Sequence, residues 1–263
     1  MTRILIDENK CLKDGICSEV CPCRIFVADE RGLAHIDPEM EPACVGCGHC
    51  ISVCPASAIS LEGVTSDQLE KVPEPLVEFS AFSSLIKARR SIRSFKQEAI
   101  PEEEIIKIVD VARWAPTAKN SQAHSWLLIT GHEKVNRLSE AVIESFRSQP
   151  RMAGMVASFE SGYDVIHRGA PHLLIAYGPE KYGWGSFDAA IAISTIELAA
   201  RAAGFGSCWG GFTTKAAAAD KSIAKSLGIA DEDTVYGVLM LGRPNFKYRR
   251  VPQRRELRLK ILA

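Results

Sequence analysis

The cysteines decide first what this chain can become. Eight of the nine lie within residues 11–54, in two runs, "CLKDGICSEVCP" (11–22) and "CVGCGHCISVCP" (44–55). Laid over one another without a gap, the runs equate Cys11 with Cys44, Gly15 with Gly48, Cys17 with Cys50, and Cys21-Pro22 with Cys54-Pro55. Asp14 stands where the second run has Cys47. Two copies that share only a few residues, chiefly Cys, Gly and Pro, do not make a solenoid array. In a reducing compartment such crowding reads as metal binding rather than disulfides.

Cys44, Cys47, Cys50 and Cys54-Pro55 follow the spacing C-x2-C-x2-C-x3-C-P. Three thiolates on one tight loop can converge on three irons of a cube, while a fourth arrives from elsewhere. Gly48 lets that loop bend closely around the sulfides. A zinc site also uses C-x2-C pairs, but its four ligands leave other cysteines and both Cys-Pro steps without a role. Residues 1–61 resemble two-cluster bacterial ferredoxins. The resemblance implies one [4Fe-4S] cluster on Cys21, Cys44, Cys47 and Cys50. It implies a second on Cys11, Cys17 and Cys54, with Asp14 opposite the fourth iron. That cluster is either [4Fe-4S] with Asp14 or water on one iron, or [3Fe-4S]. A carboxylate is a harder and weaker ligand for such iron than a thiolate. The competing reading turns Asp14 to solvent and leaves Asp14-Gly15 as a turn. Cys23 reads as a small buried hydrophobe, or as a substitute ligand.

The 263 residues are long enough for a sizeable core, with 46% apolar and 24% charged residues and a formal net charge of zero. The charge is unevenly spread: residues 1–62 hold 5 Lys and Arg against 10 Asp and Glu, so 5 − 10 = −5, leaving +5 for the remainder. This disfavours a globally basic nucleic-acid binder. The N-terminal "MTRILIDENK" has no signal-like apolar segment. The longest apolar stretch, 189–203, carries Glu197 and Arg201 and is too short to span a membrane. The expected location is the cytoplasm, with no membrane and no nucleic-acid partner.

Residues 62–80, containing Pro73 and Pro75, show no apolar periodicity and read as a linker. From residue 81 to 263 the pattern is that of a second domain. "PEEEIIKIVDVARWA" (101–115) places Ile105, Ile108, Val109 and Ala112 on one stripe and stops before Pro116, as an amphipathic helix. "HSWLLIT", "HLLIAYG" and "TVYGVLMLG" read as strands. "FDAAIAISTIELAARAAG" reads as a helix buried all round, in a core or a subunit interface, with Gly204 just past its end. An α+β fold with a mixed sheet covered by helices is expected.

"RRSIRSF" (89–95) clusters guanidinium groups suited to bidentate phosphate recognition, although alone it equally fits a solvated basic face. "APTAKNSQ" (115–122), "GFGSCWGGF" (204–212) and "LGRPNFKYRRVPQRR" (241–255) follow in order. This ordered set resembles the nitroreductase family over roughly residues 82–256. The resemblance implies a homodimer with one FMN at each end of its interface. Arg89, Arg90, Ser91 and Arg93 match the run holding the FMN phosphate and ring edge. Pro116, Thr117, Ala118 and Asn120 match the loop lent by the neighbouring subunit. Cys208, Gly210 and Gly211 match the segment along the flavin, where a backbone N–H is aimed at N5. Arg254 and Arg255 both match the final phosphate cation. "GFGSCW" has Trp209 where a dinucleotide fingerprint needs glycine, which rejects a Rossmann site. Cys208 has no histidine nearby in sequence and reads as pocket wall rather than nucleophile. The histidines show no ligand spacing.

The leading expectation is an FMN-dependent oxidoreductase. It reduces a small electron-poor nitroaromatic, quinone or enone with electrons from its own clusters, drawn from NAD(P)H or a protein donor such as ferredoxin. The hard chemistry belongs to the flavin, so no side chain is named as catalytic acid or base. The alternative is a pure electron-transfer protein relaying electrons between clusters, FMN and a partner. A third reading is unusual family chemistry such as reductive dehalogenation or oxidative breakdown of the flavin.

Overall fold

The computed structural model describes residues 4–74 and 76–262, so Pro75 of the expected linker lies outside the described residues. The chain divides into two compact units. One runs to Leu76 and includes Thr117–Ser121, and the other comprises Val77–Pro116 and the chain from Gln122 onward.

The first unit is a doubled motif. Strand β1 (Ile4–Ile6) pairs antiparallel with β4 (Ile59–Leu61), and β2 (Phe26–Ala28) with β3 (Ala34–Ile36). Between them lie two five-residue helices, α1 (Ile16–Val20) and α2 (His49–Val53). Each helix starts after a glycine in the left-handed region, Gly15 at φ 70° and Gly48 at φ 73°. Each stops one residue before a Cys-Pro step, because the proline pushes Cys21 and Cys54 into extended backbone. Lys13 at φ 61° repeats the backbone of Gly46 at φ 60°, so the second left-handed position is kept even where the glycine is not. The core is Ile4, Ile25, Phe26, Ile51 and Ile59, closed by Cys17 and Cys50.

Part of the expected linker is folded. Val64–Thr65 forms β5, antiparallel to β4. Glu62 and Gly63 both take positive φ, 52° and 85°, as a two-residue hairpin turn requires. The side chains of Thr65 and Gln68 then close a reciprocal cap on a 3-10 turn. A two-residue strand is too short to leave a periodic trace.

In the second unit the elements are α3 (Phe79–Ala88), α4 (Glu102–Asp110), β6 (Ser125–Thr130), α5 (His132–Phe146), α6 (Ala153–Glu160), β7 (His172–Pro179), α7 (Gly185–Ala202), β8 (Gly206–Trp209), α8 (Gly211–Ala219), α9 (Lys221–Ser226) and β9 (Asp233–Gly242). The four strands pair antiparallel in the order β6-β7-β9-β8, and a parallel bridge joins Ser91 to Ser207 beside β8. Strand alternation sorts two cores onto the two faces of the sheet. Leu173, Ile175, Val238, Met240 and Cys208 face one cluster, with residues of α5, α6, α8 and α9. Leu174, Ala176, Leu239 and Leu241 face the other, with residues of α4 and α7. Burial on both faces explains the unbroken apolar run of β7.

Helix α4 buries Ile105 and Ile108, and a 3-10 turn carries the stripe on to Ala112 before Ala115 turns extended at Pro116. Gly204, at φ 83°, lies just beyond α7. Within this chain, however, α7 is not buried all round. Ala189, Ile193 and Ile196 are fully enclosed, whereas Phe187 is 64% and Ile191 43% exposed. Among the described residues no helix is long and apolar enough to cross a membrane.

Gly206 permits the close approach of Ser91–Arg93. A Cβ there would lie 2.7 Å from Ile92 Cγ1 and 3.0 Å from Ile92 Cβ, while Ile92 N donates to Ser207 O at 2.8 Å. A branched side chain clamped by its own backbone bond cannot swing away. Gly206→Ala is expected to destabilise this unit by about 2 kcal/mol, read as a lower urea midpoint with unchanged slope.

Candidate functional site

The first unit gathers its cysteines into two sets. Cys21, Cys44, Cys47 and Cys50 line one small cavity, together with Cys23, Gly46 and Gly48. Cys11, Asp14, Cys17 and Cys54 line another. Each set draws three positions from one run and one cysteine from the other, because each Cys-Pro step carries its cysteine away from its own helix. Asp14 Oδ1 accepts from Ile16 N at 3.2 Å, while the residue also lines the cavity, so turn and site are compatible roles. Cys23 is a fifth cysteine on the first cavity and does not line that of Asp14. Backbone N–H groups point at sulfur in both sets, from Gly46 to Cys44 Sγ (3.5 Å) and from Ala58 to Cys54 Sγ (3.3 Å). Burial pushes the Cys17 thiol up and the Cys50 thiol to about 11. A metal bound there would have to displace protons from both. Among the described residues no group of three or more His, Cys, Asp or Glu surrounds a single ion position.

The second unit splits the arginine run between two cavities. Arg89 and Arg90 line one of about 370 Å³, with Lys96, Arg201, Ser207 and Lys247. Arg93 lines another of about 300 Å³, with Cys208, Trp209 and Gly211. The division follows from strand geometry: successive residues of β8, Ser207 and Cys208, point to opposite faces. Arg89 Nη1 is paired with Glu197 Oε1 at 3.3 Å, and Glu197 also accepts from Ser207 Oγ at 3.2 Å. Arg90 Nε is buried without a hydrogen-bond partner, an orphan donor on a cavity with no acidic lining residue. Gly210 N donates to Val238 O at 2.7 Å, so this N–H is spent on β9, and a Cβ there would lie 3.0 Å from Val238 Cγ1. The N–H groups without helical partners at this end are those of the first turn of α8, from Gly211. Burial raises the Cys208 thiol, against the pull of Arg93, leaving it a poor nucleophile.

Two sequence-matched pieces lie elsewhere in this chain. Pro116 lines neither cavity, and Thr117–Ser121, including Thr117, Ala118 and Asn120, group with the cysteine-rich unit. Asn120 Nδ2 donates to Val45 O and Gly46 O, both at 3.2 Å, on the loop between Cys44 and Cys47. Arg254 and Arg255 are exposed on the irregular C-terminal stretch. The closing segment instead sends Lys247 into the larger cavity, anchored by Asn245 Nδ2 donating to Phe95 O at 2.7 Å.

Residues 86–243 match the Nitroreductase family, and residues 3–55 match the 4Fe-4S dicluster domain. The first match spans more than half of the chain. This chain belongs to the nitroreductase family. An Archaeoglobus fulgidus protein named as an NADH dehydrogenase/NAD(P)H nitroreductase is 29% identical over 164 residues, covering 61% of this chain and 83% of that one. A component of the Na(+)-translocating ferredoxin:NAD(+) oxidoreductase complex of Acetobacterium woodii is 43% identical over 51 residues, 19% of this chain and 14% of that one. A Bacteroides fragilis nitroreductase solved with bound FMN superposes with a TM-score of 0.57 at 24% identity, covering 69% of this chain and 98% of that one. That likeness concerns the fold alone. The chain is thus a nitroreductase-type enzyme with an N-terminal ferredoxin-like dicluster domain.

In the nitroreductase unit, the loop between α6 and β7 carries residues that spacing did not reveal. His167 is fully buried and bridges two buried hydroxyls, Ser139 Oγ at Nδ1 and Thr213 Oγ1 at Nε2, both at 2.7 Å. Burial lowers its pKa to about 4, although the Asp164 carboxylate pulls the other way. The folded state therefore holds His167 neutral while the unfolded chain protonates near 6.5, so stability is full above that pH and falls as pH drops toward 4. The loss is on the order of 3 kcal/mol. Exchange protection of the buried α5 and α8 amides is expected to fall between pH 7.5 and 5 in the wild type and to stay flat in His167→Gln.

Proposed function

We propose that this protein is an FMN-dependent oxidoreductase that reduces a small electron-poor substrate, of nitroaromatic, quinone or enone type, with electrons entering through its own iron–sulfur clusters. One observation carries the reading: a dicluster match at residues 3–55 and a nitroreductase match at residues 86–243 share one polypeptide. The donor sets fit these groups. Four thiolates suit one cluster, and three thiolates with a carboxylate suit the other. Arg90 offers an unpartnered buried donor on a cation-lined cavity, which suits a phosphate. When bound, FMN would collect electrons supplied singly by the clusters and deliver them in pairs.

The residues of the chain do the rest. Arg89 and Arg90 would hold the phosphate end, with Lys247 as a further cation, while Ser91, beside Cys208, would lie toward the ring. Arg93, Cys208 and Gly211 would border the ring, which requires the flavin to pass the sheet edge at β8, since the two cavities lie on opposite faces of that strand. For a nitroarene the balance is two electrons and two protons taken up, one N–O bond broken and one water released, leaving the nitroso product. Partnership with a second copy is supported by the open stripe of Trp184, Phe187 and Ile191 on α7 and the turn before it. The ferredoxin-like relatives favour a protein electron donor, and the NAD(P)H-named relative favours a nicotinamide.

The test is anaerobic purification with iron, sulfide and released flavin quantified, then titration with NADH, NADPH and reduced ferredoxin. FMN is expected by chromatography; FAD would sink the phosphate assignment. Stoichiometric reoxidation by nitroarenes, quinones or enones without another protein supports the enzyme. Reoxidation only by a protein partner would leave an electron relay instead.

A further inference from the structure

The cavity beside Cys208 carries two cations, Arg168 and Lys215, to which the flavin reading gives no role. It is lined by Arg93, Arg168 and Lys215, and no lining residue is acidic. None of these three cations is in an ion pair among the described residues. Trp209 and Phe212 supply flat apolar wall, 38% exposed each. Three like charges gathered around one cavity repel one another, although Arg93 and Lys215 remain exposed to water. An incoming anion relieves that repulsion.

Arg168 is held in place rather than left to sample solvent. Its backbone sits in the left-handed region at φ 59°, a conformation that costs a non-glycine residue free energy and persists only where neighbours over-determine it. They do so here. The Asp164 carboxylate accepts from the backbone N–H groups of Ile166, His167 and Gly169 at 2.9–3.0 Å. His167 ties the loop to Thr213 in the first turn of α8, the helix that carries Lys215. The guanidinium donates to Tyr163 Oη at 2.7 Å and lies 5.4 Å over the Tyr163 ring. One buried hydrogen bond thus links the loop bearing one cation to the helix bearing the other.

We propose that Arg168 and Lys215 select substrates that carry an anionic group on a planar ring, an aromatic carboxylate in the simplest case. The carboxylate is met by Arg168 and Lys215 and the ring by Trp209 and Phe212. A planar guanidinium recognises a carboxylate through two parallel hydrogen bonds, and the neighbouring aromatics favour a flat partner. This assignment rests on the same cavity as the flavin reading and deepens it by naming a substrate class.

The experiment has a binding arm and a turnover arm, both on the full chain with its cofactors. In the first, the oxidised protein is titrated calorimetrically with benzoate, benzamide and benzylammonium, none of which is reducible. Benzoate is expected to bind about tenfold tighter than benzamide, with benzylammonium weakest; Arg168→Gln and Lys215→Gln should each remove about tenfold of benzoate affinity. Benzamide should stay within about twofold in both variants, as a neutral ring loses no ion pair. Lys215 is exposed on α8, so its variant tests the idea even where Arg168→Gln disturbs the loop. In the second arm, anaerobically photoreduced protein is mixed with 4-nitrobenzoate, nitrobenzene and 4-nitrobenzylammonium, and reoxidation rates should follow the same order. Equal binding of the three probes, or benzoate affinity unmoved by both substitutions, overturns the proposal. Reoxidation by nitrobenzene without charge preference overturns it while leaving the proposed oxidoreductase intact. Selective benzoate binding with no nitroarene reduced supports the anion site and removes the nitroaromatic reading instead.

Discussion

Arg90→Ala/Arg93→Ala is expected to purify without flavin while keeping its iron and sulfide. Arg90 brings a buried Nε with no partner to the larger cavity, and Arg93 borders Cys208 in the smaller one. Losing two charge-assisted contacts of about 2 kcal/mol each predicts a flavin dissociation constant raised by about a thousandfold. Arg89→Ala should do less, because Arg89 is already paired with Glu197 and also supports Ser207 through it. The measurement is flavin released per chain beside the visible absorbance of the clusters. Flavin retained in full by the double variant would refute the placement of the phosphate and ring ends. Loss of cluster absorbance together with flavin would show that the two units do not hold their cofactors separately.

Asp14→Cys is expected to abolish a three-iron signal that the wild type develops. Asp14 lines the cavity of Cys11, Cys17 and Cys54, with one carboxylate oxygen already accepting from Ile16 N. Iron facing this harder, weaker ligand is held less firmly than iron facing thiolate. Mild oxidation of anaerobically prepared wild type should yield the near-isotropic three-iron resonance at low temperature, in close to stoichiometric amount for that cluster. A fourth thiolate on the same left-handed turn, the backbone that Cys47 shares, should suppress it. Equal iron content and equal spectra for both proteins after oxidation would show that the carboxylate has no effect on cluster stability.

Much of this was legible because local spacing and local backbone coincide. Gly15 and Gly48 begin the short helices, the Cys-Pro steps end them, and these positions alone decide which cysteines share a loop. Strand β7 was visible as a continuous apolar run because both faces of the sheet bury it, and α4 because its stripe has helical period. The hairpin at Glu62-Gly63 was missed since a two-residue strand has no period to detect. The apolar surface of α7 was legible, but which part of it this chain buries was not.

By itself, the order of residues showed two cysteine runs of a dicluster domain, an aspartate where the second run has cysteine, and three of the four strands of the second unit's sheet. Only the tertiary structure decided which cations share a cavity. Arg89 and Arg93 are four apart in sequence, yet they line different cavities beside β8, whose successive side chains face opposite ways. Arg93, Arg168 and Lys215 are separated by dozens of residues yet line one cavity, the last two on a loop and a helix joined by the buried His167–Thr213 hydrogen bond. Spacing along a chain reports neighbours within a turn or a strand. Neighbours brought together by packing leave no such record, because any side chain of suitable size and charge could have filled the place.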